Sequence, residues 1–455
     1  MFSLNYKHSS WLKNYILYRI KIPFSLNEKY FRLFDENSTY DNFDNYLYSV
    51  TKDNGIFFGC PIISTSILKS AKALNFPQKK GGTIMLFLDT LFSIALIEQR
   101  KLSGGKINTD VNNFEADFLQ IIFLVIEYFI PSSFYRIPRD LNLKELLKDN
   151  GAMNRALEKL EIYFLDTITL KNESNLGNRQ NIFAFLKLYF FLNWTRENKK
   201  NYNCSPSFFH KIDEKIREEM ISQFGQLVWA NSILDSTEIL VIKRYIEQTS
   251  LPKKKQTELY NQIIIPVKKD INLKSFKSLI LRNFIIEQLI LLSLINNQRS
   301  WQEKKLIKDI SHSLGISEKR IELLFCIIAE FFSKNYKKLE YLKKKSDILK
   351  FYGFVNNMVI SLVKKNLDKI MKEINETKEL SRLLIKSTTI KLTEKEKNKV
   401  KDQLLDIAKS IPAIAIFAVP GGSLLLPVMI KVLPFNILPS SFIENSDHFE
   451  AIENE

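Results

Sequence analysis

The chain is poor in residues that punctuate or staple a fold. Among 455 residues there are 13 glycines, 13 prolines, 3 cysteines, 4 histidines and 4 tryptophans. With an apolar fraction of 45%, so little glycine and proline excludes a disordered chain. Cys60, Cys204 and Cys326 are far apart and odd in number, with no CxxC pair. That excludes a disulfide framework and a cysteine-based zinc site, and fits a reducing compartment. His8, His210, His312 and His448 are scattered, with no HExxH and no His/Cys/Asp clustering. No metal or other cofactor is therefore expected. There is no P-loop and no GxGxxG. Gly421-Gly422 lacks the strand, the helix and the Lys-Ser/Thr that a phosphate site needs. No enzyme is indicated. The N-terminus has no uninterrupted apolar stretch with a small-residue cleavage site, so a secreted chain is not expected. Neither an RNA-binding glycine-aromatic signature nor a zinc-finger spacing is present, and nothing specific for DNA.

What the chain does contain is Leu, Ile, Lys and Glu, the residues of helices. Strand alternation is scarce, so the expected fold class is all-α, a multi-helical body with a C-terminal proline-interrupted apolar segment. The formal net charge is +16, from 66 basic and 50 acidic residues. Such a surface attracts nucleic acid, ribosomes or anionic headgroups, and equally describes a solvated, lysine-rich exterior.

Along the chain, Gly55 to Pro61 reads as a turn, followed by a helix over Ile67 to Leu74. Gly81-Gly82 opens an apolar run, Ile84 to Ile97, with Asp89 in its middle. It is short for a membrane span and reads as a buried core helix. Phe118 to Ile130 reads the same way and stops at Pro131. Leu143 to Thr167 carries Leu146, Met153, Leu157, Leu160 and Phe164 at helical spacing, and Ile182 to Leu192 is a further buried helix. Asp89 and Glu127 lie on apolar helices, either sharing a buried site or serving as polar edges and paired core carboxylates. Helices resume through Ile216 to Thr249, and Pro252-Lys-Lys-Lys255 starts another with solvated charge. The expected domains are 1–200, 201–375, 376–442 and an acidic tail, 443–455.

Asn283 to Ile295 forms an amphipathic helix, Asn296 to Trp301 a loop, and Ser300-x-x-Glu303 a capping box. His312-Ser-Leu-Gly315-Ile-Ser317 then supplies a glycine stop and a fresh serine cap. This order over 283–335 resembles the tellurite-resistance TerB-like fold. In that family the loop is acidic and binds a cation. Here Asn296 and Asn297 stand where an Asp-Gly is expected and only Glu303 remains, so the resemblance implies a structural or interaction module.

The most distinctive segment lies near the C-terminus. Thr393-x-x-Glu396 reads as a capping box, followed by Val400, Leu404, Leu405, Ile407 and Ala408 at helical spacing. Ile411 to Ile430 then contains no charge in a chain that is 25% charged. Its ten Leu, Ile, Val or Phe residues contribute roughly −3 to −6 kcal/mol to membrane insertion. Pro420 and Pro427, each up to about 3 kcal/mol in a helix, bring the sum near zero. The segment either spans a membrane or folds as broken helices against the body. Lys397, Lys399, Lys401 and Lys409 on its N-terminal side would then keep the body cytoplasmic.

The residues Pro420, Gly421, Gly422, Pro427, Lys431, Pro434, Leu438, Pro439, Ser440 and Phe442 resemble the signature of the LETM family, the leucine-zipper, EF-hand-containing transmembrane proteins and their bacterial relatives. The resemblance covers roughly 379–442. It implies membrane association, at the inner membrane through 411–438, and a ribosome partner. In mitochondrial members the ribosome-binding domain follows the motif. Here thirteen residues follow Phe442, so ribosome contact is expected through the upstream basic helices. The layout is closer to bacterial relatives named as biofilm-associated. Mitochondrial members are also associated with cation/proton exchange and carry an acidic residue three positions after the first proline. Here that position is Ser423, which cannot titrate. Three readings follow: a membrane-associated, ribosome-binding LETM-like protein, a cation/proton antiporter, or a soluble helical scaffold.

Overall fold

The computed structural model describes residues 10–24, 40–77, 80–102, 114–169, 181–201, 204–230, 236–264, 273–295, 301–335, 357, 359–387, 389–411, 414 and 425–433. These residues form helices and no sheet, so the fold class is all-α. They divide into two compact units, one built on residues up to Gln288 and the other on residues from Leu289 onward.

The first unit starts with α1 (Trp11–Lys21) and α2 (Tyr40–Asp53), followed by a 3-10 turn at Ile56–Phe58. That turn sits between Gly55 and Gly59, both left-handed at φ 80° and 64°, a conformation glycine adopts without a Cβ penalty. Next come α3 (Thr65–Ala73), α4 (Gly81–Leu102), α5 (Phe114–Phe129), α6 (Pro131–Phe134), α7 (Leu143–Asp149) and α8 (Gly151–Ile168). They are followed by α9 (Ala184–Asn201), α10 (Pro206–Val228), α11 (Ser236–Gln248), α12 (Lys253–Ile264) and α13 (Leu279–Ile295).

The long stretch from Leu143 breaks where a single helix was expected. Asn150 leaves the helical conformation, and its side chain accepts from the N–H groups of Ala152 and Met153, at 3.0 and 2.9 Å. An asparagine followed by Gly151 thus caps α8 and ends α7. Helix α1 has no cap of its own, because Ser10 is left-handed and its side chain bonds nothing there. Glu161, from the middle of α8, does that work: its carboxylate accepts from the N–H of Leu12 at 2.8 Å.

Two helix crossings depend on glycine. A Cβ on Gly82 would sit 2.8 Å from Ile63 Cγ2 and 2.9 Å from Leu68 Cδ2, so α4 meets α3 and its leader through bare backbone. A Cβ on Gly225 would sit 2.7 Å from Ile263 Cγ1, so α10 and α12 touch at that point. Aromatic rings fill the core between helices. Phe57 meets Phe58, Phe185 and Phe284, and Tyr128 meets Phe129, Phe191 and Trp194.

Within α4, Gly81–Gln99 is the one stretch among the described residues long and apolar enough to cross a membrane, and 89% of that stretch is buried in the protein. The helix is longer than the apolar run Ile84 to Ile97, and it is its burial, not its length, that agrees with the expected core helix.

The second unit contains the end of α13, then α14 (Trp301–Ser313) and α15 (Glu318–Asn335). Gly315 is left-handed at φ 69°, and the Ser317 hydroxyl accepts from the N–H of Arg320 at 3.3 Å. The glycine stop and serine cap lie where the sequence places them. Ser300 lies outside the described residues, while Glu303 is 1% exposed in the first turn of α14. With Ser293, Lys304, Ile307 and Phe325 it lines a cavity of about 10 Å³, room for one water at most. The unit continues with α16 (Leu367–Glu376), α17 (Lys378–Ser387), α18 (Glu394–Ser410) and α19 (Leu425–Val432).

Candidate functional site

Helices α16 and α17, of 10 residues each, and α18, of 17, are two-faced, the pattern of helices stabilised by packing one apolar stripe. Ile370 and Ile374, then Leu380, Leu383 and Leu384, then Val400, Leu404, Leu405, Ile407 and Ala408 are buried. The three helices pack on one another, and α19 packs on α18.

Glu396 anchors this bundle. The Thr393 hydroxyl accepts from the Glu396 N–H at 3.4 Å, and the Glu396 carboxylate accepts from the Thr393 N–H at 2.9 Å, closing the capping box. The same carboxylate receives Lys386 Nζ at 2.6 Å from the end of α17. The Lys386 ammonium and the Thr393 N–H together pull the Glu396 carboxyl down to about 2. A second tie joins Lys399 of α18 to Glu379 of α17, and Lys397 reaches Glu394 at 2.6 Å. All three carboxylates between 378 and 401 are thus engaged by lysines. Lys378, Arg382, Lys391, Lys395 and Lys401 form no ion pair of this kind among the described residues and are exposed.

The apolar segment after α18 is described at Ile411, at Ile414 and from Leu425 to Leu433. Ile411, Ile414, Leu425, Leu426, Val428, Met429 and Leu433 are buried. Pro427 is the third residue of α19 as described. Lys431 occupies the last turn of the same helix. Pro420, Gly421, Gly422, Pro434, Leu438, Pro439, Ser440 and Phe442 lie outside the described residues, as does Ser423.

The two carboxylates on apolar helices, Asp89 and Glu127, have separate partners. Asp89 receives Arg19 Nε at 3.1 Å and the Tyr15 hydroxyl at 2.9 Å. Burial nevertheless holds its carboxyl above the usual range, against Arg19. Glu127 is half-buried near Arg139, and burial raises its carboxyl. The two share no hydrogen bond or ion pair among the described residues. A deeper cluster escaped the sequence reading. Asp213 on α10 receives Lys187 Nζ at 2.7 Å and Arg217 NH2 at 3.0 Å. Burial would raise the Asp213 carboxyl, but Arg217 and Lys187 prevail and hold it below the usual range. Beside it, His210 Nε2 lies 2.9 Å from the Tyr128 carbonyl, and burial lowers its pKa. Two cations on one carboxylate form a closed packing device. The spacing of Asp213 and Arg217 (i, i+4) is the only trace of it in the sequence.

No grouping of His, Cys, Asp and Glu suited to a metal occurs among the described residues. The fold therefore defines a helical protein whose C-terminal unit is a compact bundle with a basic exterior leading into a proline-rich apolar segment. Residues 392–455 match the family model described as LETM1-like, RBD, the ribosome-binding domain of that family, and this part of the chain is LETM-like. The match begins at Leu392, takes in α18 and runs through the proline motif. The ribosome-binding description thus attaches to the motif region itself, whereas the sequence reading placed that domain after it. No curated protein and no solved structure matches the chain.

Proposed function

We propose that the chain is a non-enzymatic, LETM-like protein that binds ribosomes through its C-terminal unit. The carrying observation is the match of residues 392–455 to the ribosome-binding model, on a unit whose acidic side chains between 378 and 401 are paired off while several lysines are not. A surface of this kind meets ribosomal RNA through its phosphates, independent of sequence. Sedimentation of the full chain with ribosomes tests the proposal. Binding is expected at low salt and should weaken steeply as salt rises. A chain that stays in the supernatant at low salt removes it.

Membrane association through 411–438 belongs to the same reading, supported by the charge-free run and its family signature. Carbonate extraction of membranes tests it, and complete release to the soluble fraction removes that part. A soluble helical scaffold is the second reading, favoured by the burial of Leu425, Leu426, Val428 and Met429 within the bundle. Monodispersity without detergent would support it.

A further inference from the structure

The bend between α17 and α18 combines two features. The outer stripe of α17 reads Lys378, Arg382, Ile385 at i, i+4, i+7, while Leu380, Leu383 and Leu384 face the core. Beyond the end of α17, the N–H groups of Thr389 and Ile390 donate to the Lys386 carbonyl at 3.2 and 2.9 Å. Leu392 then turns inward and is buried. The isoleucines on either side of this bend point outward, Ile385 at 61% and Ile390 at 62% exposure. They are the two exposed large apolar residues found in this bundle among the described residues.

Around them the charge is one-sided. Glu379, Glu394 and Glu396 are held by Lys399, Lys397 and Lys386, while Lys391, which follows Ile390 in the chain, and Lys395, in the first turn of α18, stand exposed. A partner for this surface must be both anionic and able to take aliphatic side chains out of water. RNA meets the first condition only. Residues 378–401 contain no aromatic ring and a single arginine, whereas bases are gripped by stacking on such groups. A lipid surface meets both. Isoleucines enter the headgroup–acyl boundary, and lysine stems lie along it with their ammonium groups at the phosphates.

We propose that the α17–α18 bend docks on an anionic lipid surface, with Ile385 and Ile390 as the inserting residues and Lys391 and Lys395 as headgroup contacts. The inference does not use the apolar segment, and it assigns to lipid headgroups Lys391 and Lys395, two of the lysines that the ribosome-binding reading also draws on.

Vesicle flotation of the full chain tests it, comparing phosphatidylserine-rich vesicles with pure phosphatidylcholine. Binding to the anionic vesicles is expected to exceed binding to the neutral ones and to fall as salt rises. Ile385→Ser with Ile390→Ser should weaken it about tenfold, and Lys391→Gln and Lys395→Gln about fivefold each. Both isoleucines are exposed, so the melting temperature of the double serine variant should match the parent. Deuterium uptake at 385–396 should fall on adding anionic vesicles, which localises the contact even if another segment also binds. Absence of vesicle binding, equal binding to both lipids, binding unchanged in the serine variant, or protection confined elsewhere would each overturn the proposal. Loss of ribosome sedimentation in the serine variant, without vesicle binding by the parent, would give the bend to RNA instead.

Discussion

The first unit and the C-terminal bundle differ in whether they bury charge. Exposed pairs occur in the first unit too, such as Lys144 with Glu115 and Lys255 with Glu218, but it also holds interior ones: Asp213 is 1% exposed between Lys187 and Arg217, and Arg196 meets Glu98 at 2.9 Å deep in the structure. In the bundle of α16 to α19 the pairs are exterior: Lys399 and Glu379 are 50% and 52% exposed in their pair. Rings follow the same division. They crowd the first unit, and the described residues of 359–433 contain none. A buried pair selects one packing, because each partner would otherwise be a stranded charge. An exposed pair does little for stability but cancels a carboxylate, leaving the remaining lysines to set the field. The first unit is thus built to hold its shape, and the bundle to present a charged face.

The sharpest way to break this contrast is Asp213→Ala. It strands Lys187 and Arg217 in the interior and should cost about 3–5 kcal/mol in denaturant unfolding. The pH dependence has a definite sign. The folded-state pKa of Asp213 lies below its ordinary value, so its contribution is fully present above the ordinary carboxylate range. It is lost as pH falls through the lowered folded value. A parent protein whose stability at acid pH matches that of the variant agrees with this, whereas an equal loss at every pH would not.

Next in size is Gly225→Ala. Exchanging glycine for alanine inside a helix ordinarily gains about 0.5–1 kcal/mol. Here the new Cβ would lie 2.7 Å from Ile263 Cγ1, and overpacking of that kind costs about 1–3 kcal/mol. The expected result is a net destabilisation of about 1 kcal/mol, recovered in part by adding Ile263→Val. A stabilised single variant would mean that α10 and α12 yield at their crossing.

Much of this was legible in the sequence wherever the cause is local. The all-helical class follows from composition, and α4 from its apolar run, although the helix extends beyond that run to a length that could span and only its burial marks it as core. The capping box at Thr393 and Glu396 and the serine cap at Ser317 are written in residues three apart. What stayed hidden depends on chain-distant partners. Arg19 reaches Asp89 across 70 residues, and Glu161 caps α1 from 149 residues away. The break at Asn150 was readable in principle from Asn-Gly, yet the apolar spacing ran through it and masked it. The bend of α17 and α18 was invisible because isoleucine ordinarily signals core. Only exposure in the folded chain separates Ile385 and Ile390 from Leu383 and Leu384.

Within the bundle, Thr393→Ala removes the hydroxyl that accepts from the Glu396 N–H. A lost cap of this kind should cost about 1 kcal/mol, read as a lower denaturation midpoint with an unchanged slope. Thr393→Ser should restore most of it, because the serine hydroxyl caps equally well. A full loss in the serine variant would show that the threonine methyl, rather than the cap, carries the effect.

The smallest effect on stability is expected from Lys386→Ala, which removes an exterior partner of Glu396. The melting temperature should move little and the shift should vanish at high salt, unlike the loss at Asp213. The titration of Glu396 should move clearly. Its carboxyl sits at about 2, held there first by Lys386 and then by the Thr393 N–H. Removing the ammonium should bring it up toward the ordinary glutamate value, observed by NMR of the side-chain carboxyl. In the parent this group stabilises the fold above the ordinary glutamate range and ceases to do so as pH falls toward about 2. The variant should therefore lose that contribution at a higher pH. An unmoved titration would mean that the capping box alone sets Glu396. The tie between α17 and α18 would then be a surface contact without electrostatic weight, and the distinction drawn between the two units would narrow to burial alone.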